Sequence, residues 1–268
     1  MIKKDNETIV CIGSGNMGRA LMKGVARAAG GVNLLFTDHT RAKAEAAAQE
    51  VGGSAVASNE EAVRAADVVF LAVKPAGIAA VVRETVAAFT QDKVVVSMAG
   101  RVSLEQLAAA FAVCGDNAPQ VIRIMPNTPT LVGKGLIALT APPSAAPETV
   151  ERVRALLAGA GVVDVVDEKL MDAIGALSGS GPAFVCLFME ALADSGVFAG
   201  LPRDKALRYA ALTVEGAAAL ALQSGKHPGV LKDEVTSPGG TTIRGIAALE
   251  DRGFRGAVMS AVLAAYGK

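Results

Sequence analysis

The 268-residue chain contains no tryptophan, and only 4% of its residues are aromatic although 51% are hydrophobic. Its core must therefore consist mostly of Ala, Val and Leu. Its two histidines, His39 and His227, and its three cysteines, Cys11, Cys114 and Cys186, lie far apart in the sequence. No Cys/His spacing is typical of zinc, so we expect no metal. The apolar neighbours of the cysteines favour small buried residues in a reducing compartment over disulfides.

Neither sign of charge predominates, since the formal net charge is zero and no basic block occurs. We therefore expect no nucleic-acid partner and no membrane-surface partner. The segment Met1–Glu7 is polar and lacks the apolar core of a signal peptide. The most apolar later segment, Ala183–Leu201, carries Glu190 and Asp194, which predicts a buried helix rather than a membrane span. The expected location is the cytoplasm.

Strand-like segments are confined to the first part of the chain, up to about residue 166. Short β-branched runs alternate there with Ala-rich stretches, which predicts parallel βαβ units in a Rossmann-like, doubly wound α/β sheet. An antiparallel edge is compatible with this pattern. The predicted strands are TIVCI, VNLLFT, DVVFLAV, KVVVSMA, QVIRIMP, GLIALTA and GVVDVV, and the predicted helices include Arg41–Val51, Gly77–Phe89 and Pro147–Ala158. We assign residues 1–166 to a dinucleotide-binding domain.

From Asp167 onward the strand pattern stops and long helical patterns such as Arg203–Ser224 follow. We assign residues 167–268 to an all-helical second domain. Several of its helices are apolar on more than one face, and about a hundred residues cannot bury such helices alone. The pattern therefore predicts a homodimer formed through this domain.

The segment TIVCIGSGNMGRALMKGV places Gly13, Gly15 and Gly18 in a G-x-G-x-x-G spacing between a strand and a helix. Gly13 permits a tight turn, Gly15 lets the backbone approach a pyrophosphate, and Gly18 lets the helix pack close to the strand. The N-terminus of the helix then offers free N–H groups to the phosphates. A purely structural glycine-rich turn is the alternative, but the flanking strand and helix favour nucleotide binding.

Asp38 ends the second strand, where an acidic residue binds the adenosine ribose and favours NAD. The neighbouring His39, Thr40, Arg41 and Lys43 are suited instead to a 2′-phosphate, which favours NADP. A third interpretation makes Asp38 and Thr40 helix caps. The preference between NADH and NADPH stays open.

Two further strands end in polar or rigid segments where ligands bind in open α/β sheets. Lys74 and Pro75 end FLAVKP, and a lysine there suits a phosphate or the nicotinamide ribose. Asn127 and Thr128 lie between two prolines in RIMPNTP, which presents fixed polar groups at the end of the strand. A solvated lysine and a structural loop are the alternatives.

The segment TSPGGTTIRG, residues 236–245, interrupts the helical pattern with a proline, two glycines and hydroxyl side chains. It predicts a helix that starts near Thr242 and directs free N–H groups at an anion such as a carboxylate. Capping of this helix by Ser237 is the alternative. His227 precedes a proline in another turn, where an exposed turn residue is favoured over a general acid.

Taken in order, GSGNMG, FLAVKP, RIMPNTP, LSGSGPAF and HPGVLKDEVTSPGGTTIRGIAALEDRGFRGAV span nearly the whole chain and closely resemble pyrroline-5-carboxylate reductases. The resemblance implies an NAD(P)H-dependent oxidoreductase acting on CH–NH donors. Such an enzyme reduces L-1-pyrroline-5-carboxylate to L-proline, the final step of proline biosynthesis, by hydride transfer to the imine carbon. It also implies that the helical domain binds substrate and forms an interlocked dimer, and that dimers can assemble into decamers.

The motifs and the resemblance together give a set of candidate site residues. For the cofactor these are Ile12, Gly13, Ser14, Gly15, Asn16, Met17, Asp38, His39, Asn59, Ala72, Val73, Lys74, Pro75, Ala99 and Asn127. For the substrate they are Glu168, Ser237, Gly240, Thr241 and Thr242. The resemblance implies that Thr242 lies beside the substrate, where its hydroxyl suits a hydrogen bond with the ring nitrogen. Glu168 is either a partner of that nitrogen or a surface charge.

Two segments depart from the commonest family pattern. Asp38, His39 and Thr40 stand where many bacterial members have Asn-Arg-Thr, and the loss of that arginine weakens an expected preference for NADPH. The segment SMAGRV, residues 97–102, stands where SxAAGV is usual, which affects the contacts expected around Ala99 on the nicotinamide side.

Two other functions are compatible with a Rossmann domain and a helical domain. A reductase for another imine or a 2-hydroxy acid would be expected to carry a lysine on the first helix after the Rossmann domain. Lys169 only precedes that helix here, and residues 170–178 contain no lysine. A nucleotide-sensing dimer would bind the cofactor without turnover.

Overall fold

A single mixed β-sheet organises the first part of the chain in the computed structural model, which describes residues 7–267. Its strands follow the order β3-β2-β1-β4-β5-β6-β7-β8. The strands are β1 Thr8–Ile12, β2 Asn33–Thr37, β3 Ser54–Ala55, β4 Val68–Leu71, β5 Val94–Ser97, β6 Gln120–Met125, β7 Gly135–Thr140 and β8 Gly161–Val165. Strands β1 to β6 are parallel to one another, which confirms the predicted Rossmann-like sheet.

The antiparallel edge of the sheet is formed by two strands. β7 pairs antiparallel with β6, and β8 then pairs parallel with β7. The seven predicted strands are confirmed to within two residues, and the two-residue strand β3 was missed because its pattern is too short to distinguish from a loop.

Helices cover both faces of the sheet. They are α1 Asn16–Ala28, α2 Arg41–Val51, α3 Asn59–Ala65, α4 Ile78–Thr85, α5 Leu104–Phe111, α6 Pro147–Leu157 and the short α7 Met171–Ile174. Alternate residues of β1 belong to two separate core clusters: Ile9 and Cys11 pack with α1, α2 and α6, while Val10 and Ile12 pack with α3, α4 and α5. This period of two shows that both faces of the strand are buried, as expected for a doubly wound sheet.

The chain divides into two compact units, one ending at Gly179 and the other beginning at Ser180. A π-helical turn, Gly175–Gly179, lies just before the division. The predicted domain boundary at 166/167 falls at the end of β8, and Glu168 lies in the first unit by this division.

The second unit is helical, as predicted, with Arg203–Ser224 forming one continuous helix. Its helices are α8 Gly181–Phe198, α9 Arg203–Ser224, α10 Pro228–Glu234, α11 Thr241–Asp251 and α12 Phe254–Tyr266. Within residues 180–267, the buried side chains are those of three alanines, Ala193, Ala206 and Ala210. Large apolar side chains on α8, α9, α11 and α12 are exposed instead, with Phe198 95% exposed.

Helix α8 corrects two predictions. It was expected to be buried, but in the single chain only Ala193 of this helix is buried. Cys186, on the same helix, is exposed, whereas Cys11 and Cys114 are buried as predicted. Hydrophobicity indicates that a surface avoids water but not whether its own chain or another copy covers it, so the sequence pattern alone did not distinguish the two cases.

Residues Glu168–Phe198 form a helical stretch that is long and apolar enough to cross a bilayer by length and composition alone. Only 11% of its most apolar window is buried within the chain. This apolar segment is therefore mostly exposed in the single chain.

Candidate active site

The glycine-rich turn between β1 and α1 can be built only with glycine at two of its positions. Gly13 has a φ of +97°, and a Cβ there would lie 2.5 Å from the carbonyl oxygen of Ala72. A Cβ at Gly18 would lie 2.5 Å from the carbonyl oxygen of Gly13 and 2.9 Å from Cys11 Sγ. Gly13 thus permits the tight turn, and Gly18 permits the close packing of α1 on β1, in the way the sequence pattern predicts.

Gly15 borders an open space at the start of α1. A Cβ built at Gly15 would have no neighbour within 4 Å, and Gly15 caps α1 without a side-chain hydrogen bond to the first turn. The N–H groups of that turn therefore face an open approach at the positive end of the helix dipole. This geometry fits the pyrophosphate of a dinucleotide.

Asp38 links the end of β2 to the glycine-rich turn. Its Oδ2 accepts the N–H of Ser14 at 2.8 Å, and its Oδ1 accepts the N–H of Thr40 at 2.9 Å. The side chain is only 6% exposed, whereas His39, whose Nδ1 lies 2.9 Å from Asp38 Oδ1, is 84% exposed. Thr40 is the N-cap residue of α2 but makes no side-chain capping bond, so the interpretation of Thr40 as a side-chain cap is wrong.

Hydrogen bonds hold the ends of β1, β2 and β4 together. The N–H of Gly13 donates to the carbonyl of Thr37 at 2.9 Å, and the N–H of Ala72 donates to the carbonyl of Ile12 at 2.8 Å. The Thr37 hydroxyl also donates to Asn59 Oδ1 at 2.6 Å. Asn59 is therefore fixed at the start of α3 by the strand that carries Asp38.

The residues that follow β4 and β5 differ in their exposure. Lys74 is exposed, and no ion pair with it is found among residues 7–267, so its ammonium group is free for a ligand. Ala99 is buried, and its N–H donates to Ser97 Oγ at 3.4 Å. Ala99 is thus not exposed to a ligand, and its role in cofactor binding remains a prediction.

Asn127 is a bridge within the protein. Its Nδ2 donates to the carbonyl of Ser178 at 3.1 Å, and its Oδ1 accepts the N–H of Leu136 at 3.0 Å. It is 8% exposed. The side chain holds the π-helical turn and β7 against the end of β6, and its role in cofactor binding remains a prediction.

An ion pair that sequence analysis missed lies beside this region. Arg123, on β6, is 4% exposed and donates to Glu168 Oε1 at 2.9 Å. The same Oε1 accepts the N–H of Leu104, the first residue of α5, at 2.6 Å. The signal for this pair was a charged residue inside the apolar run QVIRIMP, since a buried arginine requires a partner.

Glu168 retains one free oxygen. No hydrogen bond to its Oε2 is found among the described residues, and the side chain is 34% exposed. The carboxylate is therefore both anchored through Oε1 and accessible through Oε2.

In the second unit, the start of α11 carries the remaining candidate residues. Gly239 has a φ of +68°, and Gly240 caps α11 without a side-chain hydrogen bond, so Ser237 does not cap this helix. A Cβ at Gly240 would lie 2.3 Å from Ser237 Oγ, so a larger residue there would require the Ser237 hydroxyl to rotate away. Thr241 and Thr242 open the helix and are exposed. The predicted helix start is present with no side-chain cap from Gly240, and anion binding there remains a prediction.

His227 has a structural role at another helix start. Its Nδ1 accepts the N–H of Gly229 at 3.1 Å and caps α10. The side chain is exposed, which agrees with the expected turn residue.

The predicted cofactor residues converge on one edge of the sheet. They follow the carboxyl ends of β1, β2, β4, β5 and β6 or, for Asn59, the end of β3, and these ends meet at the same edge because the strands are parallel. The predicted substrate residues are divided: Glu168 belongs to the first unit, and Ser237, Gly240, Thr241 and Thr242 belong to the second.

Comparison with known proteins covers both units. Residues 168–268 match the family described as pyrroline-5-carboxylate reductase dimerisation, and residues 8–101 match the family described as NADP oxidoreductase coenzyme F420-dependent. The chain is 43% identical to the pyrroline-5-carboxylate reductase of Pisum sativum, over 98% of this chain and 95% of the relative. It is 39% identical to that of Escherichia coli strain K12, over 94% of this chain and 93% of the relative.

A solved structure shows the same architecture. The pyrroline carboxylate reductase of Plasmodium falciparum, crystallised with NADP bound, is 30% identical and superposes with a TM-score of 0.86 over 99% of this chain and 97% of that chain. The fold, the glycine-rich turn and the likeness over both units agree. The chain belongs to the pyrroline-5-carboxylate reductase family.

Proposed function

We propose that the protein catalyses the NAD(P)H-dependent reduction of L-1-pyrroline-5-carboxylate to L-proline. The observation that carries this proposal is the likeness to named reductases, which extends over 94–98% of the chain and includes both the dinucleotide cradle and the helical unit. The open approach to α1 at Gly15 supports the cofactor half, and the uncapped start of α11 supports the substrate half.

The cofactor supplies a hydride to the imine carbon. The glycine-rich turn would hold the pyrophosphate through the first N–H groups of α1, and the residues after β4 and β5 would hold the nicotinamide half. Lys74 is placed to meet a phosphate or the nicotinamide ribose, because its ammonium group has no protein partner among the described residues.

The chemistry requires little acid from the protein. The imine nitrogen of a cyclic imine has a pKa not far from neutral, so the substrate arrives as an iminium and accepts the hydride at carbon without a further proton. What the chain must supply is orientation and exclusion of water. The N–H groups that open α11 suit the substrate carboxylate, and the Thr242 hydroxyl suits the ring nitrogen.

Glu168 is proposed as the second group for the ring nitrogen. Its free Oε2 is available to accept the N–H of the iminium or of proline, while Oε1 stays bound to Arg123 and Leu104. The negative charge would also stabilise the protonated form of the substrate.

Asp38 bears on the choice between NADH and NADPH. Its carboxylate lies next to the turn where a 2′-phosphate would approach, and its two oxygens already accept the N–H groups of Ser14 and Thr40. A fixed negative charge at this place repels a phosphate, whereas His39 and Lys43 nearby are exposed and suited to attract one. We infer use of both cofactors, with Asp38 limiting the selectivity for NADPH.

The helical unit is proposed to form a homodimer in the cytoplasm. The exposed apolar side chains of α8, α9, α11 and α12 need a cover, and a second copy of the same domain provides an equally apolar surface. The family description of this region as a dimerisation domain supports the same partner. Assembly of dimers into a decamer follows the resemblance, and the domain limits 1–166 and 167–268 stay a prediction beside the division into compact units at Gly179 and Ser180. No nucleic acid, metal or membrane is included in the proposed assembly.

The test is an oxidation assay with purified protein. NADH and NADPH are each offered with pyrroline-5-carboxylate, with piperideine carboxylate and with keto-acids, and NAD+ and NADP+ are each offered with hydroxy-acids. We expect kcat/KM with the pyrroline to exceed that with the other compounds by at least about tenfold, because the keto- and hydroxy-acids lack the ring nitrogen proposed to meet Thr242 and Glu168, and piperideine carboxylate has one more ring methylene. Binding of NADPH without oxidation would indicate a sensor, and preference for an acyclic acid would indicate a hydroxy-acid enzyme. Lys169, the candidate acid in the latter case, is exposed and pairs with Asp167 at 3.0 Å.

A further inference from the structure

Arg101 has a backbone conformation that glycine would adopt more easily. Among residues 7–267 it is the one residue other than glycine with a positive φ, at 59°. This left-handed conformation brings Cβ close to the following carbonyl oxygen and is disfavoured for every residue that has a Cβ. An unfavourable conformation of this kind persists when the surrounding structure fixes it, and such residues concentrate at binding sites.

Both flanks of Arg101 are fixed. On its N-terminal side, the N–H of Met98 donates to the carbonyl of Leu71 at 3.2 Å, which holds the segment to β4. On its C-terminal side, Ser103 and Gln106 form a reciprocal capping box, and the N–H of Leu104 donates to Glu168 Oε1. The loop is therefore anchored at both ends, with Arg101 between the anchors.

The guanidinium of Arg101 has no partner among residues 7–267. Arg101 is exposed, and no hydrogen bond or ion pair to its side chain is found within the described part of the chain. Arg41, Arg64 and Arg123 each bind a carboxylate, whereas Arg83 likewise has no partner among the described residues, so the anchored loop is what distinguishes Arg101. A free guanidinium on an anchored loop is suited to bind an anion from outside the chain in a bidentate arrangement.

The position of the loop in the sheet indicates which anion of the reaction Arg101 binds. Arg101 follows β5, which is separated from β1 by β4 in the sheet. Strands in a sheet are about 4.8 Å apart, so the end of β5 lies about 10 Å from the end of β1, where the pyrophosphate cradle begins. This displacement is toward β6 and away from β2, the strand that carries Asp38. Arg101 therefore lies on the nicotinamide side, where the carboxylate of the substrate is the anion.

We propose that Arg101 is a specificity-determining residue that binds the carboxylate of the imine substrate and tolerates an unfavourable backbone conformation in doing so. The proposal rests on the proposed function, since it assumes a substrate with a carboxylate. It predicts that stability and substrate recognition change in opposite directions when glycine replaces the arginine.

The variants are Arg101→Gly, Arg101→Gln and Arg101→Lys, with Arg154→Gln on α6 as a matched exposed arginine away from the sheet edge. Arg101→Gly is expected to raise Tm by about 2–4 °C at equal protein concentration, because glycine relieves the backbone conformation. The KM for pyrroline-5-carboxylate is expected to rise about tenfold in Arg101→Gly and Arg101→Gln, and less in Arg101→Lys. The Kd of NADPH should not change in the Arg101 variants. Arg154→Gln should have the same kinetics as the wild type.

A neutral substrate separates carboxylate binding from general damage. With 1-pyrroline, which lacks the carboxylate, kcat/KM should be the same for wild type and Arg101→Gly. If turnover of 1-pyrroline is too slow to measure, inhibition by L-proline and by pyrrolidine provides the same comparison. Only inhibition by L-proline should weaken in Arg101→Gly.

Several outcomes would overturn the proposal. They are an unchanged KM for the pyrroline carboxylate, an equal loss with the neutral compounds, a loss in NADPH affinity in place of substrate affinity, or a lower Tm in Arg101→Gly. A wild-type protein inactive toward pyrroline-5-carboxylate would instead refute the proposed function, which the wild-type control reports separately.

Discussion

The Asp38 carboxylate accepts the N–H of Ser14 at 2.8 Å, so the residue that ends β2 also fixes the turn that follows β1. An acidic residue at this place is expected to bind the adenosine ribose, and here it has a second task in shaping the pyrophosphate cradle. The two tasks make different predictions for its replacement.

Replacement of Asp38 is expected to change cofactor selectivity. In Asp38→Asn the negative charge is lost while a side-chain acceptor remains for Ser14, so the ratio of kcat/KM for NADPH to that for NADH should rise about tenfold. In Asp38→Ala the ratio should rise similarly, but two N–H groups also lose their acceptor, which should lower the free energy of unfolding by about 1–2 kcal/mol. Steady-state kinetics with both cofactors and urea unfolding measure these effects. An unchanged ratio in both variants would mean that the carboxylate is not near the 2′ position.

Removal of the Glu168 carboxylate is expected to affect both stability and activity. Glu168→Ala removes the carboxylate that binds the buried Arg123 guanidinium at 2.9 Å and leaves it with Asp172 Oδ1 at 3.6 Å, and we expect a loss of about 2 kcal/mol in the free energy of unfolding. Because Glu168 is partly exposed, this lies below the loss for a fully buried pair.

Glu168→Gln separates the two roles, since it keeps an acceptor for Leu104 but loses the charge. We expect Glu168→Gln to lose less stability than Glu168→Ala. Relative to that loss of stability, its fall in kcat should be at least as large as in Glu168→Ala. Full activity in Glu168→Gln would remove the charge of Glu168 from catalysis.

The Thr242 hydroxyl is expected to act in turnover rather than in cofactor binding. Thr242→Ala should lower kcat about tenfold, the value of one hydrogen bond, while the Kd of NADPH stays the same. Thr242→Ser restores the hydroxyl and should restore most of the activity. Unchanged turnover in Thr242→Ala would exclude Thr242 from the mechanism.

The buried thiol of Cys11 is expected to make stability depend on alkaline pH. Burial raises the pKa of the Cys11 thiol from 9.0 to about 12, and the negative charge of Asp38 contributes in the same direction. The unfolded chain loses this proton above pH 9 whereas the folded chain retains it, so the contribution is complete below pH 9 and is lost progressively as the pH rises toward 12. The slope from this group is at most about 1.4 kcal/mol per pH unit.

Cys11→Ala is the control for that dependence. The variant should lose a constant amount of stability for the missing side chain, and its free energy of unfolding should fall less steeply than that of wild type between pH 9 and pH 10.5. Parallel curves for the two proteins would contradict the raised pKa. In the same samples, Cys11 should resist alkylation until the protein unfolds.

Sequence patterns predicted the elements that depend on local periodicity and on steric rules. Helices Arg41–Val51 and Arg203–Ser224 have the predicted bounds, and the strands of the sheet follow the β-branched runs. Gly13 and Gly18 have the expected packing roles, because Gly13 has a positive φ and a Cβ on either residue would overlap neighbouring backbone atoms.

The partners of buried polar side chains were not predictable in this way. Arg123 and Glu168 are 45 residues apart, and Asn127 and Ser178 are 51 residues apart, so only the tertiary fold brings them together. The pattern in RIMPNTP suggested a polar group presented to a ligand, yet the amide of Asn127 binds two backbone groups of the protein itself. A motif predicts which polar groups lie at a strand end. Residues distant in sequence determine what those groups contact.

Three alanines are the buried residues of a unit that spans residues 180–267. Their methyl groups remove too little apolar area from water to offset the entropy lost on ordering its helices. If a second copy supplies the missing area, completion of the fold is a bimolecular reaction. Dilution would then unfold this unit, as urea unfolds a monomeric protein. The amount of chain in the cell would then determine what fraction of it is folded, and the rate of synthesis would help to set the specific activity of the enzyme.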